Sequence, residues 1–436
     1  MGSYILTLPF EIIAQIFVFC LPPEDDALPW RTEAPLLLAG ICRHWRDAAM
    51  ATHELWNTVH LSLRPRSVLK VAPLLDFWIP RAGNLPLSMS LIYKGAEWNL
   101  EVTDPEAPQR KLEALLKEYA PHWTSIELMP PFPTRALLAS PDKDLASLKR
   151  LVLRYGPWAP SGNQLARGFS QAPRLRELHM ISGSPTILAL PWEQLTTLRL
   201  DNSAPVECVR TLALVPNLVN FTATIWTASP APSIPPLTRL ESLTFNLSHT
   251  RGPALLNSLT LPALHHLDLD IEDVREITSV TSLTTRSPCF LRSLSIRVGT
   301  HWTADYFLQL FSALDLLEDL DLRKAAKSVD IGLVLLKMQP HLLPNLRTLS
   351  IRRASAAHED AELLADLLES RWNVPETVSL PVQMTAFRLD SPLVEVSDLD
   401  RSAVLRLARL RKEGMDIQIR LSFYLWFPMS LRPNVH

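Results

Sequence analysis

Leu264-His265-His266-Leu267-Asp268-Leu269-Asp270 is the stretch that decides the fold. Leu267 and Leu269 alternate with His266, Asp268 and Asp270, the period of two that gives a strand one apolar and one polar face. With Leu264 three residues earlier they make a hexapeptide of the form Leu-x-x-Leu-x-Leu. Hexapeptides of this form also begin at Leu148, Leu175, Leu195, Leu218, Leu240, Leu291, Leu317 and Leu346; Met180, Phe245, Ile296 and Ile351 take the last leucine's place in those at Leu175, Leu240, Leu291 and Leu346, and the one at Leu218 is imperfect, with Phe221 and Ala223. Successive copies lie 27, 20, 23, 22, 24, 27, 26 and 29 residues apart. Trp123-Thr124-Ser125-Ile126-Glu127-Leu128, 25 residues before the first, reads as a weaker copy.

Such spacing falls within the 20–29 residues typical of leucine-rich repeats, whose strands carry this hexapeptide. Composition agrees: Leu occurs 80 times in 436 residues, and Pro outnumbers Gly 37 to 12. A leucine-rich chain yields some such hexapeptides by chance, but not nine in order at near-constant spacing. Pro173, Pro216, Pro262 and Pro344 lie just ahead of their repeats, where they stiffen the turn into the strand. The consensus Asn or Cys position after the strand holds Gly156, Gly183, Ser203, Trp226, Ser248, Glu272, Gly299, Ala325 and Ala354, so no asparagine ladder is expected. The expected fold class is α/β, an irregular leucine-rich-repeat solenoid (α/β horseshoe) over 122–436. Helices over 360–371 and 400–413, the second stopped by Gly414, and a strand through Ile417, Ile419, Leu421 and Phe423 would cap its end.

The first sixty residues follow a different period. Pro9 suits the first turn of a helix and Glu11 its positive end, and Ile12, Ile13, Ile16 and Phe17 form an apolar stripe stopped by Pro22-Pro23. After an acidic loop, Pro35 opens a second helix. Its apolar face carries Leu37, Leu38, Ile41, Cys42, Trp45 and Ala49, and Leu55-Trp56 leads into a strand through Val59, Leu61 and Leu63.

Leu8-Pro9-Phe10-Glu11-Ile12-Ile13, Ile16-Phe17, Ile41-Cys42-Arg43-His44-Trp45-Arg46 and Leu55-Trp56 together resemble the F-box. The acidic insertion at 22–34 resembles the longer form in fungal F-box domain-containing proteins. The resemblance covers 4–63 and implies docking on the Skp adaptor of a cullin-RING ubiquitin ligase. Carried over residue by residue, it implicates Leu8, Pro9, Ile12, Ile13, Ile16, Phe17, Ile41, Cys42 and Trp45. Residues 64–121, with the charged run Thr103-Asp104-Pro105-Glu106-Ala107-Pro108, read as a connector.

Several function classes drop out. With 43 basic against 45 acidic residues the chain has no bulk positive field for nucleic acid or anionic lipid. Cys20, Cys42, Cys208 and Cys289 form no disulfide framework or zinc cluster, and no cofactor is expected. The apolar N-terminus has no preceding Lys or Arg and no small-x-small cleavage site, and the longest uncharged stretch, 211–238, is rich in proline. These features point to a cytoplasmic or nuclear protein, not secreted, with no membrane segment.

No GxSxG, GxxxxGK[ST], HExxH or GxGxxG is present, so no enzyme is expected. His265-His266 with Asp268 and Asp270 is the one metal-like cluster, and the strand register assigns His266 and both Asp residues to the solvated face. Residues alternating with the leucines would form the binding surface: Arg199 and Asp201; His266, Asp268 and Asp270; Arg297; Asp319, Asp321 and Arg323; Arg352. The expected function is a non-catalytic substrate receptor holding a target protein on the repeats and the adaptor on the helices. The alternative is a leucine-rich-repeat scaffold with a helical cap, unrelated to ubiquitin.

Overall fold

Period-two alternation in the sequence becomes a ladder of parallel strands in space. The computed structural model describes residues 8–22, 31–63, 68–93, 114–129, 145–155, 167–225, 234–247, 254–270, 277–298, 302–323, 326–339, 341–352, 360–374, 381–390 and 401–420. It divides into two units, 1–203 and 204–436.

In the first unit β1 (Thr58–Leu63), β2 (Leu87–Tyr93), β3 (Trp123–Leu128), β4 (Arg150–Arg154), β5 (Glu177–Ile181) and β6 (Thr197–Ser203) pair in chain order, all parallel. The second unit repeats the pattern with β7 (Asn220–Ile225), β8 (Ser242–Leu247), β9 (His266–Asp270), β10 (Ser293–Arg297), β11 (Asp319–Arg323), β12 (Thr348–Arg352), β13 (Ala386–Asp390) and β14 (Asp416–Arg420). Each unit is therefore an α/β fold in which every strand lies beside its neighbours in sequence, the order that stacked repeats produce.

All nine hexapeptides begin two residues ahead of a strand, from Leu148 before β4 to Leu346 before β12. Their apolar positions stack in register: Leu267 of β9 pairs with Leu294 of β10, then Leu320, Leu349, Phe387 and Ile417 follow across β14. All of these are buried. The four prolines sit second in a tight turn that the first Leu closes, as where the Leu175 N–H donates to the Ala172 carbonyl (3.1 Å) across Pro173. Of the expected turn residues, Gly183 and Ser203 are described; Gly156, Trp226, Ser248, Glu272, Gly299, Ala325 and Ala354 lie outside the described residues.

Two strands were not expected. The supposed connector over 64–121 contains the helix Val68–Trp78 and β2, and β2 sits between β1 and β3. The strand was hidden because Leu87 pairs with Trp123 through a register shift, which shortens the apolar spacing. β13 was hidden because Met384 and Phe387 stand in for leucine ahead of Leu389.

At the other end of the chain the helix Asp360–Trp372 and the helix Arg401–Lys412 form as their patterns predict. Gly414 follows the second with φ +115°, a conformation that favours glycine, and the Met415 N–H closes on the Leu410 carbonyl at 3.1 Å. Ile417 and Ile419 lie in β14, whereas Leu421 and Phe423 lie outside the described residues. Arg371 lies in the last turn of the helix Asp360–Trp372. It is buried, donating to the carbonyls of Leu336 (3.2 Å), Leu342 (2.8 Å) and Leu343 (3.4 Å), and burial pulls its guanidinium down to about 10.

Trp56 joins the N-terminal helices to the first ladder. Trp56-x-x-Val59-x-Leu61 occupies the hexapeptide positions of β1, so the indole stands where later repeats put their first leucine. It is fully buried, donates from Nε1 to the Ala49 carbonyl (2.8 Å) and packs edge-on against Trp78 at 4.9 Å and Phe77 at 5.7 Å. Arg81 stacks on the Phe77 ring at 3.7 Å.

Candidate functional site

Candidate binding surfaces lie on the N-terminal helices and on the strands. Pro9 caps α1 (Phe10–Phe19): its extended backbone (ψ 147°) presents the carbonyl to the N–H groups of Ile12 (3.1 Å) and Ile13 (3.2 Å). What reads as one later helix is two, α2 (Leu36–Ile41) and α3 (Arg43–Ala51). The break is at Cys42, which is extended (φ −154°, ψ 173°) and accepts the Trp45 N–H on Sγ at 3.5 Å. Cys42 thus acts as a serine-like N-cap of α3. Arg46 turns back to donate to the Ala39 carbonyl at 3.0 Å, satisfying the end of α2.

α1 packs against α3 and divides its apolar residues between two faces. Ile13 and Phe17, four apart, are fully buried, with Phe17 5.0 Å from Trp45. Ile12, Ile16 and Phe19 share a neighbouring stripe that turns outward: Ile12 is 42% exposed, Phe19 90%, and Ile16 half-buried. On α2, Leu38 and Ala39 are buried while Leu37 and Ile41 are 45% and 54% exposed. Of the nine residues implicated by sequence, Pro9, Ile12 and Ile41 are exposed; Leu8, Ile16, Cys42 and Trp45 are half-buried; Ile13 and Phe17 are inside. Ile13 and Phe17 differ from expectation because α1 must bury one face to stay folded on so small a unit. Sequence reasoning did not assign the exposed Phe10, Phe19 and Leu37 to the docking surface, although Phe19, three residues after Ile16 and seven after Ile12, continues the outer stripe at helical spacing.

On the strands, the face opposite the leucines carries charge that is largely matched within each unit. In the second unit Arg297, Arg323 and Arg352 stand side by side on β10, β11 and β12. Their like charges are relieved because each reaches a different carboxylate: Arg297 pairs with Asp270, Arg323 with Asp268 and Arg352 with Asp321. Asp321 also accepts the Ser295 hydroxyl at 2.9 Å. Burial pushes the Asp268 carboxyl up and the Arg323 guanidinium only partly opposes this, with Asp321 adding to the rise. His266 and Asp319 are exposed.

In the first unit Asp201 accepts from Arg199 Nε at 2.9 Å and lies 2.7 Å from His179 Nε2. Glu127 on β3 takes the Ser90 hydroxyl of β2 at 2.5 Å and the Arg154 guanidinium of β4. Burial raises the Glu127 carboxyl, but those two donors outweigh it and hold it below the usual range.

Chemically, both strand faces are hydrogen-bonding surfaces with ready-made ion pairs. Among the described residues no three His, Cys, Asp or Glu side chains converge to hold a metal ion; Asp268 and Asp270 turn instead to arginines. No helix among those residues is long and apolar enough to cross a membrane. No protein-family model matches the chain, and a search of curated proteins finds no significant match.

Proposed function

We propose that the chain is the substrate-recognition subunit of a Skp–cullin–F-box type ubiquitin ligase, non-catalytic in itself. In this reading the N-terminal helices are an F-box that docks the Skp adaptor, and the ladder is a leucine-rich-repeat domain that binds a target protein. Neither nucleic acid, membrane nor cofactor enters the reading. The receptor raises the effective concentration of target lysines beside the charged ubiquitin-conjugating enzyme.

The observation that carries the proposal is the two-sided α1. Beside the Leu-Pro-x-Glu and Cys-Arg-x-Trp blocks, Ile12 and Phe19 of α1 and Leu37 and Ile41 of α2 expose apolar surface. A scaffold whose helices serve only as a cap would bury that stripe. Covering this apolar surface with a partner removes it from water, worth about 25 cal/mol per Å² before the costs of association.

Capture on immobilised Skp adaptor tests it. Ile12→Asp/Phe19→Asp should weaken capture at least about tenfold, the equivalent of 1.4 kcal/mol. Leu405→Asp, at a leucine of the second unit that is 62% exposed, should leave it unchanged. Equal capture of wild type and the double variant would overturn the proposal.

A further inference from the structure

Lysine is distributed unevenly along this chain. From 150 to 323, 174 residues, there is no lysine and there are 14 arginines; the ten lysines lie at 70–149 and 324–412. That interval runs from the start of β4 to the end of β11. Ion pairing accounts for arginine at Arg154, Arg199, Arg297 and Arg323, where a planar guanidinium suits a carboxylate on the same or a nearby strand. It does not account for Arg167, Arg174 and Arg239, which are exposed and show no side-chain hydrogen bond or ion pair among the described residues. At such positions lysine keeps a surface solvated equally well.

One chemical property separates the two cations here. A lysine amine, once deprotonated, is a nucleophile, whereas the guanidinium stays protonated. In ubiquitin transfer the amine attacks the thioester between ubiquitin and its conjugating enzyme. An isopeptide bond forms, the C–S bond breaks, and the enzyme cysteine leaves as thiol, taking up the amine's proton. Arginine cannot take this part.

We infer that the lysine-free interval keeps the strand region of this receptor from becoming a ubiquitin acceptor itself, so that transfer there goes to the bound target. The inference rests on the ubiquitin-ligase reading proposed above. It assigns the arginines at 174 and 239 a role that charge alone does not require.

The test uses the full chain assembled with adaptor, cullin and RING subunit. Adaptor capture is measured first, then self-ubiquitination with ubiquitin and its activating and conjugating enzymes, with branch sites mapped by mass spectrometry. Arg174→Lys/Arg239→Lys should gain branches at both positions and at least double total self-conjugation. Arg174→Gln/Arg239→Gln, which removes charge without adding an amine, should match wild type. If Arg174→Lys/Arg239→Lys is captured normally and its new amines stay unmodified while other lysines of the chain are conjugated, the inference is wrong. Failure of wild type at the capture step instead overturns the ligase reading, and the inference with it.

Discussion

Arg323 of β11 passes over β10 to pair with Asp268 of β9, while the nearer acid on its own strand, Asp321, is held by Arg352 of β12. Charges on this face are thus braided across strands, and a partner that binds here meets a surface already close to neutral. Recognition would come from hydrogen bonds and shape more than from net attraction.

The two perturbed carboxylates of the strand faces give opposite pH signatures. Glu127 lies below its ordinary value of 4.5 when folded, so its stabilisation is complete above that value and is lost as pH falls through the lowered folded value. Asp268 lies above its ordinary 3.8, so its contribution is complete below 3.8 and is lost as pH rises through the raised folded value. Urea denaturation at pH values from about 3 to 6 should show stability rising less steeply with pH in Glu127→Gln and more steeply in Asp268→Asn.

Cys42 is predicted to act through its cap. Cys42→Ser should keep or slightly improve stability, since a hydroxyl accepts the Trp45 N–H better than sulfur does. Cys42→Val leaves that N–H unsatisfied and should cost about 1 kcal/mol by thermal or urea unfolding. A larger loss for Ser than for Val would refute the capping role.

Arg371 donates to three carbonyls from a buried position, and only that of Leu343 also accepts a turn N–H, from Leu346 at 3.2 Å, among the turn and loop bonds of the described residues. Arg371→Met should destabilise the second unit by about 3 kcal/mol despite its similar volume. Arg371→Lys should rescue little, because an ammonium lacks the planar fork that reaches Leu336 and Leu342 from one nitrogen and Leu343 from the other. Unfolding curves of both variants decide the matter.

Gly332, within the helix Ala326–Met338, sets two effects against each other. Alanine there would gain about 1 kcal/mol in helix propensity. Its methyl carbon, however, would sit 2.9 Å from Cε1 of Phe307. That ring is fully buried and packs on Trp302 at 5.0 Å and Phe311 at 5.5 Å, so moving it disturbs both neighbours. Overpacking costs about 1–3 kcal/mol, so Gly332→Ala should lower the unfolding midpoint overall.

Most of the ladder was legible because a strand buried on one face must alternate, and leucine marks that face plainly in β4 and β9. Legibility failed where another side chain did leucine's work: Met384 and Phe387 in β13, and Leu87 with its shifted partner in β2. Trp56, which in sequence leads from the helices into the strand, also takes the first apolar position of the hexapeptide that contains β1. On the helices, periodicity identified an apolar stripe but not which residues of it face inward. Ile12 and Ile13 are adjacent in sequence and chemically alike, and only the packing of α1 on α3 sends Ile13 inside and Ile12 out. The ion pairs were illegible for a related reason: Arg323 is 55 residues from Asp268 and has nearer acids in sequence, and its choice depends on the lateral register of three strands.

Because Trp56 belongs to both the helices and the sheet, the N-terminal sixty residues are not a severable module. A fragment ending at Leu63 would strip Phe77 and Trp78 from the indole and leave a large aromatic face in water. The helices and β1 should therefore melt in a single transition with the rest of the first unit, and grafting them onto another protein would require the helix Val68–Trp78 to travel with them.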